Sequence, residues 1–164
     1  MPDNSAGREA VGVAWSVPAR SLRIVNGTGP MEEHAERLAD FRARLAAGAL
    51  TLAQLASRRG ERDPDATGDW VAARRLERSL IACVLPDRSL VVPAFQLSDA
   101  GEPRPELRPL IARLLGAGVD DWTAWTWLTQ PSSLLSGEVP ERVAVADPGR
   151  ALRASARFAA ETDA

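Results

Sequence analysis

Lysine and tyrosine are both missing from this chain, which carries a single cysteine, Cys83, and a single histidine, His34. One thiol excludes an internal disulfide. Its place in the apolar run LIACVL fits a small buried hydrophobe, since a nucleophilic cysteine needs a base and electropositive surroundings. One imidazole supplies neither a metal cage nor a Ser-His-Asp triad, and His34 falls on the first turn of a helix, where a solvated residue is expected. Glycine-rich phosphate loops are also lacking, and Asp120-Asp121 reads as a helix cap rather than an acid-base pair. The expectation is therefore a protein that is not an enzyme, with no catalytic residue, no metal and no cofactor. No apolar run approaches about 18 residues, and the N-terminus has no basic region followed by an apolar core. The expected address is cytoplasmic, with no membrane partner.

What is present is ordinary in bulk and unusual in detail. The 164 residues are 45% hydrophobic and 26% charged, as in a soluble globular protein of one medium or two small domains. All 20 basic residues are arginine, yet the net charge is −2, so the broad basic footprint of a dedicated nucleic-acid binder is missing. Any DNA contact has to come from a local patch.

Residues 1–30 mix Gly, Pro, Ser and Asn with the pieces VGVAW and LRIV and read as an irregular arm, whose Trp15 is free to dock on the body. A unit over residues 31–98 follows. Leu38, Phe41 and Leu45 between Glu32 and Ala47 predict an amphipathic helix closed by Gly48. Thr51 and Gln54 have the spacing of a capping box, so a short helix should start at Leu52, turn Leu52, Leu55 and Ala56 inward, and end near Arg59-Gly60. Asp65 or Thr67 then caps a second short helix carrying Trp70, Val71, Ala73 and Leu76. SLIACVL and SLVVPAF, separated by Pro86-Asp87-Arg88, predict a β-hairpin.

Helix, turn, helix, hairpin resembles a winged or excisionase-like helix-turn-helix, whose second helix enters the major groove while the hairpin lies beside the backbone. That resemblance implies a DNA face of Thr67, Arg74, Arg75 and Arg78, with Arg88 at the wing tip. Glu61, Asp63, Asp65, Asp69 and Glu77 are interleaved with those arginines and repel phosphates, so a solvated mixed-charge surface stands beside the DNA reading.

Pro93, Gly101, Pro103 and Pro105 predict a fixed, extended linker and a boundary near Ser98 to Pro105, with a second unit over residues 99–164. There Leu107, Leu110, Ile111, Leu114 and Leu115 repeat along one helical face until Gly116 and Gly118. The next helix carries Trp122, Trp125 and Trp127, which cannot share one stripe and require burial on several sides. Pro131 stops it, Pro140 opens another helix, and Asp147-Pro148 opens the last, with Leu152, Ser155 or Ala156, and Phe158 turned inward. The expected fold class is mainly α: a small winged helix-turn-helix with one β-hairpin, then a compact bundle of four short helices.

The spacing W-L-x-x-P-x-x-x-L-x-G-x-x-P, filled by Trp127, Leu128, Pro131, Leu135, Gly137 and Pro140, resembles the toxin-binding domain of Xre/MbcA/ParS-type antitoxins. Pro93-Ala-Phe-Gln96 and the helix before Gly116 extend the resemblance to members that carry a small DNA-binding unit ahead of that domain. It implies the antitoxin of a type II toxin-antitoxin pair, which covers the active-site entrance of a RES-domain, NAD-consuming toxin while its DNA-binding half represses the shared operon. The implied partners are the cognate RES-domain toxin and operator DNA, in a homodimer or a hetero-oligomer with the toxin. The last helix, with Arg150, Arg153, Arg157, Phe158 and Glu161, is the expected toxin contact, since arginine beside an aromatic is the usual make-up of an interface hot spot. An amphipathic helix that only closes its own bundle is the plainer reading. The rival function is a stand-alone helix-turn-helix transcriptional regulator with no toxin partner.

Overall fold

A computed structural model describes residues 29–163, so the arm read over residues 1–30, with Trp15, lies almost wholly outside the described residues. The elements are α1 (Pro30–Ala46), β1 (Ala49–Thr51), α2 (Leu52–Arg59), α3 (Pro64–Leu76), β2 (Cys83–Val84), β3 (Leu90–Pro93), α4 (Arg108–Gly116), α5 (Asp121–Thr129), α6 (Pro140–Ala146) and α7 (Pro148–Thr162). Short 3-10 turns cover Ala94–Gln96 and Ser133–Leu135. The chain is thus mainly helical with one small antiparallel sheet. No helix among the described residues is long and apolar enough to cross a membrane.

Side-chain caps set most helix starts. The Thr51 hydroxyl accepts from Gln54 N at 3.2 Å while the Gln54 amide oxygen accepts from Thr51 N at 2.9 Å, and α2 ends in the left-handed Gly60. Asp120 caps α5 by accepting from Thr123 N at 3.0 Å, and Asp147 caps α7 by accepting from Arg150 N at 2.9 Å. Burial works to raise the Asp120 carboxyl, but the Thr123 hydroxyl and amide outweigh it and hold it below the ordinary value. One cap differs from expectation. α3 is capped by Asp63, which accepts from Asp65 N at 2.9 Å, because Pro64 fits the first helical position.

The sheet does more than a hairpin. β3 lies in the middle, paired antiparallel with β2 on one side (Cys83 opposite Val91) and with β1 on the other (Leu50 opposite Val92). Because extended backbone alternates its faces, Leu80, Ala82 and Val92 enter one core with Leu55 and Val71, whereas Ile81, Cys83 and Val91 enter another with Leu107, Leu110, Trp125 and Leu128. The strand region is therefore apolar on both sides, which is why SLIACVL reads as a continuous run rather than an alternation. Cys83 sits in this wall, 2% exposed, and its thiol is pushed up to about 12, first by burial and then by the Asp121 charge. That makes it an inert packing residue at neutral pH.

The proline-rich segment expected to be extended is folded back. Leu97 bridges Pro103, and Gly101 packs under α2 with φ of +75°, where an added Cβ would stand 2.6 Å from Arg59 Cγ. Arg59 holds the turn: it donates to Gly101 O at 3.2 Å, pairs with Glu102 at 2.5 Å and with Glu61 at 3.0 Å, and stacks over Trp70 at 3.8 Å. Proline and glycine allowed the turn, and long-range contacts to α2 shaped it.

Candidate protein-interaction surface

Four helices follow the sheet, as expected, and α7 closes them. It buries Ala151, Ala154, Ser155 and Ala159 against α4 and α6. The buried stripe is made of small residues, which let helix axes approach closely, and it is displaced from the one expected. Leu152, read as inward, is 40% exposed, and Val145 on the neighbouring α6 is 60% exposed.

The expected toxin-contact residues divide into two groups. Arg150 and Phe158 are committed to the fold. Arg150 pairs with Glu138 at 2.6 Å and donates to Leu135 O at 3.0 Å, which clamps the loop before α6. That loop is closed by its own backbone, with Ser132 N donating to Glu138 O and Gly137 N donating to Ser132 O, and it reverses through Ser136 and Gly137, both left-handed. Phe158 stacks on Trp127 with ring centres 5.1 Å apart. Arg153, Arg157 and Glu161 form the second group. They follow at helical spacing along the exposed side of α7 and make no ion pair among the described residues.

Trp127 and Phe158 also form the floor of an open apolar cavity of about 390 Å³, completed by Leu38 and Phe41 from α1 and by Trp122 and Pro131. Trp125 and Trp127 are buried, at 3% and 7% exposure, and Trp122 is half-buried, stacked on Trp125 with Arg42 above it at 5.3 Å. Trp122 and Trp125, three positions apart, stack together, while Trp127 turns away to stack on Phe158, as their spacing requires. Buried Ser132 accepts from the Trp127 indole N–H at 3.2 Å, which satisfies the one polar atom of that ring.

Within the expected DNA face, Arg75 and Arg78 line one surface cavity, and Thr67 is a clear correction. It is fully buried, and its hydroxyl donates to the Glu61 carboxylate, which this bond holds below the ordinary carboxylate range. A start of α3 at Pro64 rather than nearer Thr67 turns this residue inward. Arg74 pairs with Glu77 at 2.8 Å and lies over the Trp70 ring at 6.0 Å. Arg75 reaches across to Asp121 at 2.9 Å, and Asp121 also accepts from Ala82 N at 3.1 Å, so this carboxylate ties α3 to α5 and the sheet. Arg78 and Arg88 are exposed, both with positive φ, and make no ion pair among the described residues. Asp65 and Asp69 are exposed on α3.

Sequence reading missed Arg59, which besides its neighbour Glu61 meets Gly101 and Glu102 more than 40 residues away and the Trp70 ring, and Leu152, whose outward position follows from the small residues at 151, 154 and 155. Among the described residues no group of three or more His, Cys, Asp or Glu side chains is placed to hold a metal ion. No family model, no curated protein and no solved structure matches this chain.

Proposed function

We propose that the chain is an antitoxin that binds a RES-domain, NAD-consuming toxin through the exposed side of α7 and covers the toxin's active-site entrance. The observation that carries this reading is the division of α7: one side is packed with small residues, while the other offers Leu152, Arg153, Arg157 and Glu161 with no ion pair among the described residues. Apolar surface flanked by unpaired arginines is the composition that protein partners bury. Arg153→Glu with Arg157→Glu is the cleanest test, because deleting α7 would also strip the core of Ala151, Ala154 and Ala159. The double variant is expected to keep its unfolding midpoint, to bind the toxin encoded beside it at least about tenfold more weakly, and to lose growth rescue on co-expression. Full rescue and unchanged binding would remove α7 from the interface.

One observation favours a second role. The order β1, α2, α3, β2, β3 with strands arranged β1-β3-β2 suits a winged helix-turn-helix, so operator binding is part of the proposal. With Arg74 and Arg75 tied within the chain, Arg78 and Arg88 are the arginines that would meet phosphate. Arg78→Gln and Arg88→Gln are each expected to weaken binding to the upstream DNA several-fold in low salt, and each to lower the salt slope by about one. Fluorescence anisotropy against salt reads both quantities. DNA binding without any toxin complex would favour the stand-alone regulator.

A further inference from the structure

The least satisfied element is α1. It has 17 residues, none of them buried, and Met31 through Asp40 are all exposed; Leu38 reaches the edge of the aromatic cavity, and the helix turns half-buried positions to the body only from Phe41 onward. Isolated helices of this length are marginal in water, so most of their stability has to come from packing an apolar face. α1 has such a face. Met31, Leu38 and Leu45 recur every seven residues with Phe41 between the last two, yet Met31 is 86% exposed and Leu38 39% exposed. Below it the aromatic cavity floored by Trp127 and Phe158 stands open.

Charge along α1 identifies the occupant. Glu32, Glu33 and Glu36 fill the first half and Arg42 and Arg44 the second, with Arg37 and Asp40 offsetting each other between them. A second α1 laid antiparallel sets acidic half on basic half twice over, whereas a parallel copy sets acid on acid and base on base. The helix dipole also favours this charge order, but it accounts for neither the exposed Met31 and Leu38 nor the unfilled aromatic cavity. The geometry points to α1 as a two-fold self-association element: the free half of each α1 lies antiparallel beside the second half of its partner, setting Met31 beside the second copy's Leu45 and Leu38 beside its own counterpart. Such a contact is isologous and closed, so it yields a dimer rather than a filament. It does not depend on the antitoxin reading.

Sedimentation velocity on the full chain, without toxin or DNA, is expected to show a dimer at tens of micromolar that weakens as salt rises. Glu33→Arg/Glu36→Arg spares the Glu32 carboxylate, which accepts from Gly29 N at 3.0 Å, and is expected to weaken the dimer at least about tenfold. Arg42→Glu/Arg44→Glu should do the same. The quadruple variant carrying all four reversals restores complementarity within one sequence and is expected to recover the dimer to within about threefold of the parent. A monomeric parent chain overturns the inference, and so does a parent that dimerises only after residues 1–28 are removed, which would make that arm the occupant. Dimers indifferent to both double variants place the interface elsewhere, and a quadruple variant that stays monomeric excludes the antiparallel arrangement.

Discussion

Gln96→Leu is expected to destabilise the protein by about 2–4 kcal/mol, read as a lower urea midpoint at unchanged slope. Gln96 is fully buried in the 3-10 turn after β3, and its amide does the work of a missing strand. Its oxygen accepts from Ile81 N at 2.8 Å and its nitrogen donates to Ile81 O at 2.7 Å. Ile81 lies just before β2, in the wall that sends Leu80 and Ala82 into one core and Ile81 and Cys83 into the other. Leucine fills nearly the same volume but leaves a buried backbone donor and a buried acceptor unpaired, at about 1–3 kcal/mol each when no water replaces them. Gln96→Glu gives an internal control. A protonated carboxyl reproduces both contacts, while the carboxylate loses the donor and adds a buried charge. Burial raises the folded-state pKa of such a glutamate, so its penalty grows as pH rises above the unfolded value of about 4.3. Relative to the parent at each pH, Gln96→Glu is expected to lose less near pH 4 than at pH 7. A loss under about 1 kcal/mol for Gln96→Leu would mean that the wall does not depend on this amide.

Local chemistry made much of the fold legible. Thr51 with Gln54, Asp120, Asp147-Pro148 and the glycines at 60 and 118 act within a few residues of themselves, and each stands where its spacing placed it. The missed features depend on distant partners. β1 has only three residues and exists because β3 offers it an edge. Gln96 stands out in the sequence only as part of Pro93-Ala-Phe-Gln96, and its role depends on a backbone 15 residues away. Thr67 had the chemistry of a cap or a phosphate contact, but Asp63-Pro64 begins the helix four residues earlier and carries it to the inside.

The candidate site was less legible than the fold, for a related reason. Arginines at 74, 75, 78, 150, 153 and 157 look alike in sequence, and only the packed chain separates those paired within it from those with no ion pair among the described residues. Arg75 and Arg150 each meet a carboxylate and so stabilise the junctions between elements. Arg153 and Arg157 meet none among the described residues. Exposed pairs add little to stability, so reversing Arg153 and Arg157 should separate binding from folding.

Trp127→Ala is expected to cost about 3–5 kcal/mol, the range for removing a large aromatic from a packed core. Core burial, a ring stack and a hydrogen bond are lost together. The ring is 7% exposed, stacks on Phe158 of α7, and donates its N–H to Ser132 in the loop that Arg150 clamps from α7. Deleting it therefore opens the cavity floor downward and loosens α7 from both sides, while leaving the Ser132 hydroxyl without its buried donor. Trp122→Ala is the comparison. That ring is half-buried, stacked on Trp125 at 5.3 Å and covered by Arg42, and its loss is expected to cost about 1–2 kcal/mol, because solvent already reaches it. Thermal and urea unfolding of the two variants measure the difference directly. Equal losses would show that Trp122 is as much a core residue as Trp127, and would remove the open aromatic cavity as a surface available to a partner.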